Sequence, residues 1–399
     1  MRLAGASPAG RFLSMKFAVT TLAFCVAALL GLGLVMLYSS SMTQVGAQYL
    51  KSQLIWSVMG LVLCVVAASA DGPTLKKVAW PMFGAALVLL VLVLLPLPHG
   101  LTKKINGAHR WFILPGMRLQ PSEMGKLALV LVLAWYCDRF QRHLNQFKWG
   151  LMVPVLILGS MLALIFREPD RGTTVLLAVV GVSMLLIAGV PLRLLIPPGL
   201  IAIAGLAFSI LHDPMRMRRI FSWLDMENHK EGVGYQAYQA MIALGSGGWT
   251  GLGLGNGRQK LGFVPEHHTD FIFSIIGEEL GLVATLLVVL AFVVILVCGI
   301  YIALHAEDLF GTMVATGVTL LISLQAWINI GVVTSALPNK GLPLPFISYG
   351  GSNLLAMLAC VGLLFGVARR AARQEVSAEE VFVEETRPRQ RNPFAASGA

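Results

Sequence analysis

Ionisable side chains are scarce in this sequence, and the few that interrupt its apolar runs are the residues whose chemistry needs an explanation. Asp270 ends a polar segment that begins with a dense glycine run at 245–257. That segment continues through Arg258, Lys260, Glu266, His267, His268 and Thr269, then passes directly into an apolar stretch. Glycine lets a backbone approach a ligand closely, so such a run beside charged residues suggests a bound substrate. The plainer reading of Asp270 is an acid favoured by the dipole in the first turn of a helix. Glu123 and Lys126 stand three apart and share one face of a helix, where they can pair or hold a ligand between them. Glu168 and Asp170 fall in a connection, 167–172, too short to leave the membrane surface. Glu278 and Glu279 lie about two turns beyond Asp270, where a hydrogen-bonded structural role is expected. Charges at membrane depth are costly and are kept for a task or for pairing.

Three other motifs carry less. Gly251-Leu-Gly-Leu-Gly-Asn-Gly has neither a βαβ context nor a following Gly-Lys-Ser/Thr, which argues against a nucleotide loop. Neighbouring rings such as His267 and His268 point apart on most backbones and make a poor zinc pair. Ser348 and Ser352 have no readable His/Asp partners for a hydrolase triad. The five cysteines fall in or beside apolar runs with no paired spacing and read as small buried hydrophobes.

The elements that must position these groups are membrane helices. The chain is 56% hydrophobic and 13% charged, and its apolar runs reach about twenty residues, enough to cross a bilayer core of roughly 30 Å. Spans are expected at 17–38, 54–70, 78–97, 123–137, 150–166, 173–190, 194–211, 270–300, 309–336 and 350–368, an all-α polytopic protein of ten transmembrane helices. The first run is too long for a signal-peptide core and reads as an uncleaved span. An even count puts both termini on one side, and Arg11, Lys16, Arg369, Arg370 and Arg373 flank the ends as on a cytoplasmic face. Lys and Arg are nevertheless equally divided between the two faces. The positive charge of the outer face therefore asks for an anionic ligand there.

Only the outer connections are elaborate. Segment 98–122 holds Lys103, Lys104, Asn106 and Arg110, 337–349 holds Lys340, and 212–269, between the seventh and eighth spans, is the longest. Within the last, Tyr235, Tyr238, Met241 and Ile242 recur at helical spacing and predict a short interfacial helix. The expected organisation is a cytoplasmic segment 1–16, a membrane domain 17–368 and a disordered cytoplasmic tail 369–399.

Several motifs together resemble one family. Asn106-Gly-Ala-His-Arg-Trp, Gln120-Pro-Ser-Glu-Met-Gly-Lys126, Glu168-Pro-Asp170, Pro265-Glu-His-His-Thr-Asp270-Phe-Ile-Phe, Gly277-Glu-Glu-Leu-Gly and Lys340-Gly-Leu-Pro-Leu-Pro-Phe-Ile-Ser-Tyr-Gly-Gly-Ser are similar to those of the SEDS proteins (shape, elongation, division and sporulation) over about 15–370. Asn329-Ile-Gly and Leu337-Pro-Asn-Lys-Gly resemble the cell-division branch more than the elongation branch. Arg171 and Asn339 depart from the usual pattern.

The resemblance implies a peptidoglycan glycosyltransferase that polymerises lipid II at the outer face of the bacterial cytoplasmic membrane, at the division septum. It also implies a class B penicillin-binding protein transpeptidase and other divisome membrane proteins as partners. Asp270 matches the family's essential catalytic acid, and Glu123, Lys126 and Asp170 match positions lining the same cavity. Lys340 and Ser352 fall in a matching motif and are carried as substrate-binding residues. In such a reaction a carboxylate takes the proton of an attacking sugar hydroxyl. The leaving lipid diphosphate needs positive charge, from Lys126, Arg110 and the basic loops or from a divalent cation, Mg or Mn, for which the sequence shows no ligand set. Two other readings remain open, a lipid II flippase and a non-catalytic divisome scaffold.

Overall fold

The structure, a computed structural model, describes residues 8–41, 46–95, 102, 110–114, 117–232, 234–264 and 267–386, with side chains between 15 and 373 except at 114 and 117. Lys103, Lys104, Asn106, Pro265, Glu266 and the end of the tail lie outside the described residues.

The described chain is a helical bundle. Its helices are α1 (Pro8–Ser41), α2 (Gln48–Ser69), α3 (Gly72–Leu94), α4 (Pro121–Phe140), α5 (Val153–Arg167), α6 (Arg171–Ile187), α7 (Leu192–Leu211), α8 (Pro214–Leu224), α9 (Tyr235–Ser246), α10 (Ile272–Leu304), α11 (Leu309–Val333) and α12 (Gly351–Thr386). A small antiparallel hairpin, β1 (Phe112–Leu114) with β2 (Met117–Leu119), precedes α4. Among the described residues eight helices are long and apolar enough to cross a membrane. Ten spans were expected; α4, whose 20 residues include Glu123, Lys126, Asp138 and Arg139, and α6, which has 17, are not among the eight.

Apolar side chains drive no association between helices already in lipid, so close contact through small residues takes over. Gly362 of α12 shows this. A Cβ there would lie 2.2 Å from the Cys64 carbonyl of α2. Helices α4, α11 and α12 form the buried centre, and α7 stands at the edge against α8. All five cysteines are buried and free.

The two ends of the bundle differ. At one, Lys76 of α3 pairs with Asp138 (2.8 Å) and Asp308 (3.0 Å), and Arg369 of α12 with Asp71 (3.3 Å). Partly exposed pairs of this kind add little stability. At the other end the long connections interlock. Lys260 reaches Ser39 in the last turn of α1, Arg110 reaches the α5–α6 turn, and Trp223 of α8 donates to the Ser335 carbonyl after α11.

Three elements differ from expectation. The β1–β2 hairpin falls in a segment expected to be a loop of an all-α chain. Helix α8 was not predicted, because its sequence, Pro-Met-Arg-Met-Arg-Arg-Ile-Phe-Ser-Trp-Leu, reads as a polar loop; Asp213 caps it by accepting from the Met215 and Arg216 amides. The eighth expected span is not one straight helix, since α10 breaks at Gly281, with φ 77° and ψ −174°.

Candidate active site

Asp270 lies just before α10, half-buried at the interlocked end. Its backbone is held from two sides. The Asn329 Nδ2 of α11 donates to the Asp270 carbonyl at 2.7 Å, and Ser348 Oγ donates to the Thr269 carbonyl at 2.7 Å. The 340–343 stretch packs against its side chain. Gly341 is so close that a Cβ there would sit 2.6 Å from Asp270 Oδ2. Lys340, the preceding residue, is half-buried, and desolvation lowers its pKa.

The 340–343 loop is fixed by two amides one turn apart on α11. Asn329 Nδ2 also donates to the Leu342 carbonyl (2.7 Å), and Gln325 Nε2 donates to the Pro343 carbonyl and to Asn353 Oδ1, both at 2.9 Å. Gln325 Oε1 accepts from Lys126 Nζ at 2.8 Å, and Lys126 Nζ also donates to Glu123 Oε1 at 2.8 Å. Lys126 has no solvent exposure. Its ammonium is therefore engaged inside the protein, beneath the loop that touches Asp270.

The α5–α6 turn adjoins the same loop, because the Leu342 side chain packs on Gly172, where a Cβ would lie 3.1 Å from it. Asp170 caps α6, accepting from the Thr173 amide and hydroxyl at 3.0 Å. Arg110 donates to the Glu168 and Pro169 carbonyls at 2.7 Å and remains partly exposed. Glu168 is fully buried, and neither carboxylate oxygen has a partner among the described residues. Burial first, and then Asp170, pushes its pKa up to about 8, against the pull of Arg110. Ser352 accepts from the Gln120 amide and donates to the Arg118 carbonyl, fastening β2 to α12. The predicted residues thus gather at one end of the bundle, with Lys340 next in the chain to the Gly341 that faces Asp270, Asp170 and Ser352 in structural bonds, and Glu123 and Lys126 behind them.

The glycine run has a different role from the one its composition suggested. The Leu252 and Gly253 amides donate to the Glu278 and Glu279 carbonyls, and the Leu282 and Val283 amides donate back to Gly248 and Trp249. A Cβ at Gly251 would lie 2.1 Å from the Glu279 carbonyl oxygen, at φ +80°. Its close approach is to the break in α10. The two acids complete the lock: Glu278 accepts from the Arg258 and Gln259 amides, and Glu279 from the Gly255 amide, Ser39 and Lys260 (2.6 Å). Their expected structural role is what the bonds provide. The adjacent His267 and His268 rings lie at 70° to each other, and His268 stacks on Tyr49.

Sequence reasoning did not single out Gln325 as a site residue. A lone amide in an apolar run was its only signal. Among the described residues no three His, Cys, Asp or Glu side chains converge. A divalent cation arriving with a diphosphate would meet Asp270 as a single carboxylate, a manner in which Mg commonly binds. The geometry offers a half-buried carboxylate, Lys340 and Arg110 at the same end of the bundle, and a rigid backing.

Comparison with known proteins adds an independent line. The sequence profile of the FtsW, RodA and SpoVE family, described as cell cycle proteins, matches residues 20–373. The chain is 39% identical to a protein named probable peptidoglycan glycosyltransferase FtsW in Trichlorobacter lovleyi, over 86% of this chain and 91% of that one. A chain of a solved peptidoglycan synthase complex, described as coordinating polymerization and crosslinking, superposes with a TM-score of 0.73 at 29% identity, covering 88% of this chain and 97% of that one. The rod shape determining protein RodA of Thermus thermophilus superposes with a TM-score of 0.64 at 28% identity, covering 87% and 95%.

Proposed function

The chain belongs to the FtsW, RodA and SpoVE family of cell cycle proteins, and on that premise we propose that it is a peptidoglycan glycosyltransferase that polymerises lipid II. The observation that carries the reading is the placement of Asp270, a half-buried carboxylate held by α11 and faced by a glycine, with Lys340 and Arg110 at the same end of the bundle.

Asp270 acts as general base. It takes the proton of the attacking sugar hydroxyl as that oxygen bonds to the anomeric carbon, and the bond from that carbon to the diphosphate breaks. The lipid diphosphate leaves with the bonding electrons. A carboxylate is a weak base for a resting hydroxyl, but the hydroxyl becomes far more acidic as its oxygen bonds to carbon. Lys340 and Arg110 stabilise the charge gathering on the diphosphate. Lys126, with Glu123, supports the loop from within through Gln325, and Asp170 and Ser352 hold the walls. A divalent cation on the diphosphate would add to the same stabilisation.

All ten long helices, α1–α7 and α10–α12, cross the membrane in this reading, with both termini cytoplasmic and the interlocked end outside. The long lipid tail of the substrate explains a site at a bilayer surface. The likeness to a chain from a polymerising and crosslinking complex supports a class B penicillin-binding protein as partner, and the FtsW relatives support a place at the septum with other divisome proteins.

Purified full-length protein in nanodiscs, given labelled lipid II and no other enzyme, tests the activity. Glycan chains are the expected product. Translocation of lipid II in vesicles without polymer would assign a flippase, and neither activity, alone or with the transpeptidase, would assign a scaffold.

A further inference from the structure

Asn329 is buried within α11, and its single amide group serves two acceptors on opposite sides of the site. Nδ2 donates one hydrogen to the carbonyl of Asp270 and the other to that of Leu342, each at 2.7 Å. Both acceptors are backbone oxygens in stretches without regular structure, so without Asn329 each would need another donor. Two carbonyl acceptors also fix which way the amide points, since its oxygen cannot serve either. No other side chain of this size presents two donors from one planar atom. Aspartate presents none when ionised, and leucine none at all.

The consequence is geometric. One bond holds the residue that carries the carboxylate. The other holds Leu342, next to Gly341, which touches that carboxylate. We propose that Asn329 is the positioning residue of the reaction, setting the separation between Asp270 and the Gly341–Leu342 stretch that faces it. Gln325, one turn earlier, keeps the same loop in register through Pro343. The proposal rests on the reading of Asp270 as the base. It adds that the base is aimed through its own backbone by an amide on a neighbouring helix.

Misplacing a catalytic group by about 1 Å can cost on the order of a hundredfold in rate. Asn329→Leu, close in size and without donors, is expected to lower kcat about ten- to hundredfold while KM for lipid II moves less than about threefold. Asn329→Asp is isosteric and offers at most one donor, so it should behave similarly and provides a second route to folded protein. Monodispersity and thermal midpoint report folding for each. Near-normal kcat in either folded variant overturns the proposal. So does failure of both to fold, which would make Asn329 a structural residue only. The two readings separate cleanly. If Asp270→Asn polymerises, the base assignment fails; if Asp270→Asn is inactive while the Asn329 variants turn over normally, only the positioning role fails.

Discussion

Gly341 and Asp270 meet at the one face of Gly341 where a side chain would begin: a Cβ placed there would be 2.6 Å from Asp270 Oδ2, and among the described residues, chain neighbours aside, Asp270 alone comes within 4 Å of it. Gly341 does not have a positive φ, so the backbone itself tolerates a larger residue. Gly341→Ala therefore separates fold from chemistry. Reduced freedom of the unfolded chain should hold or raise stability by about 0.4–1 kcal/mol. The displaced carboxylate should slow polymerisation by roughly tenfold or more. Rate and thermal midpoint, measured on the same preparation, check both halves; a full rate with raised stability would show that the contact does not constrain Asp270.

Glu168 gives a pH dependence of defined sign. Its folded pKa, about 8, lies above its ordinary value of 4.5 because burial and Asp170 disfavour the carboxylate. The folded state then holds a proton that the unfolded state has released, and its stabilising contribution is present below pH 4.5 and lost as pH rises through about 8. The thermal midpoint of the unaltered protein should fall across that window relative to Glu168→Gln, which carries no titrating group. Parallel curves for the two proteins would place the Glu168 pKa near its ordinary value.

Lys126 and Glu123 form a buried pair that also supports Gln325. Lys126→Met leaves an acid without its cation in the interior, a change that costs roughly 3–5 kcal/mol for a fully buried pair. Adding Glu123→Gln should restore most of that stability. Polymerisation should remain at least about tenfold slow in the double variant, because Gln325 Oε1 has lost its donor and the Pro343 loop its backing. Chemical denaturation and rate together read the two effects, and a double variant with normal rate would reduce the pair to mutual neutralisation.

The spans were legible because about twenty apolar residues in a row have few alternatives to a membrane helix. The gathering of elaborate loops at one end followed from counting those spans. Helix α8 was hidden by Arg216, Arg218 and Arg219, although Asp213-Pro214 is a cap followed by a favoured first residue and marked its start. The hairpin before α4 was likewise signalled by Pro115-Gly116 in the sequence between its strands. The glycine run was visible, but its purpose was not: Gly247 and Gly251 lie against backbone carbonyls of α10, those of Gly277 and Glu279, about thirty residues away in the chain. The same holds for Gly341, Gln325 and Asn329. Their roles come from partners brought close only by the packing of α4, α10, α11 and α12, which local spacing does not encode.

The central claim is that the Asp270 carboxylate takes the proton, and Asp270→Asn tests it most directly. The amide is nearly isosteric, so the bundle should keep its thermal midpoint within a few degrees. General-base catalysis contributes about 10²- to 10⁴-fold, and glycan polymer made from lipid II by the purified variant should fall by that factor. Polymer formed at close to the unaltered rate by a folded Asp270→Asn protein would contradict the account.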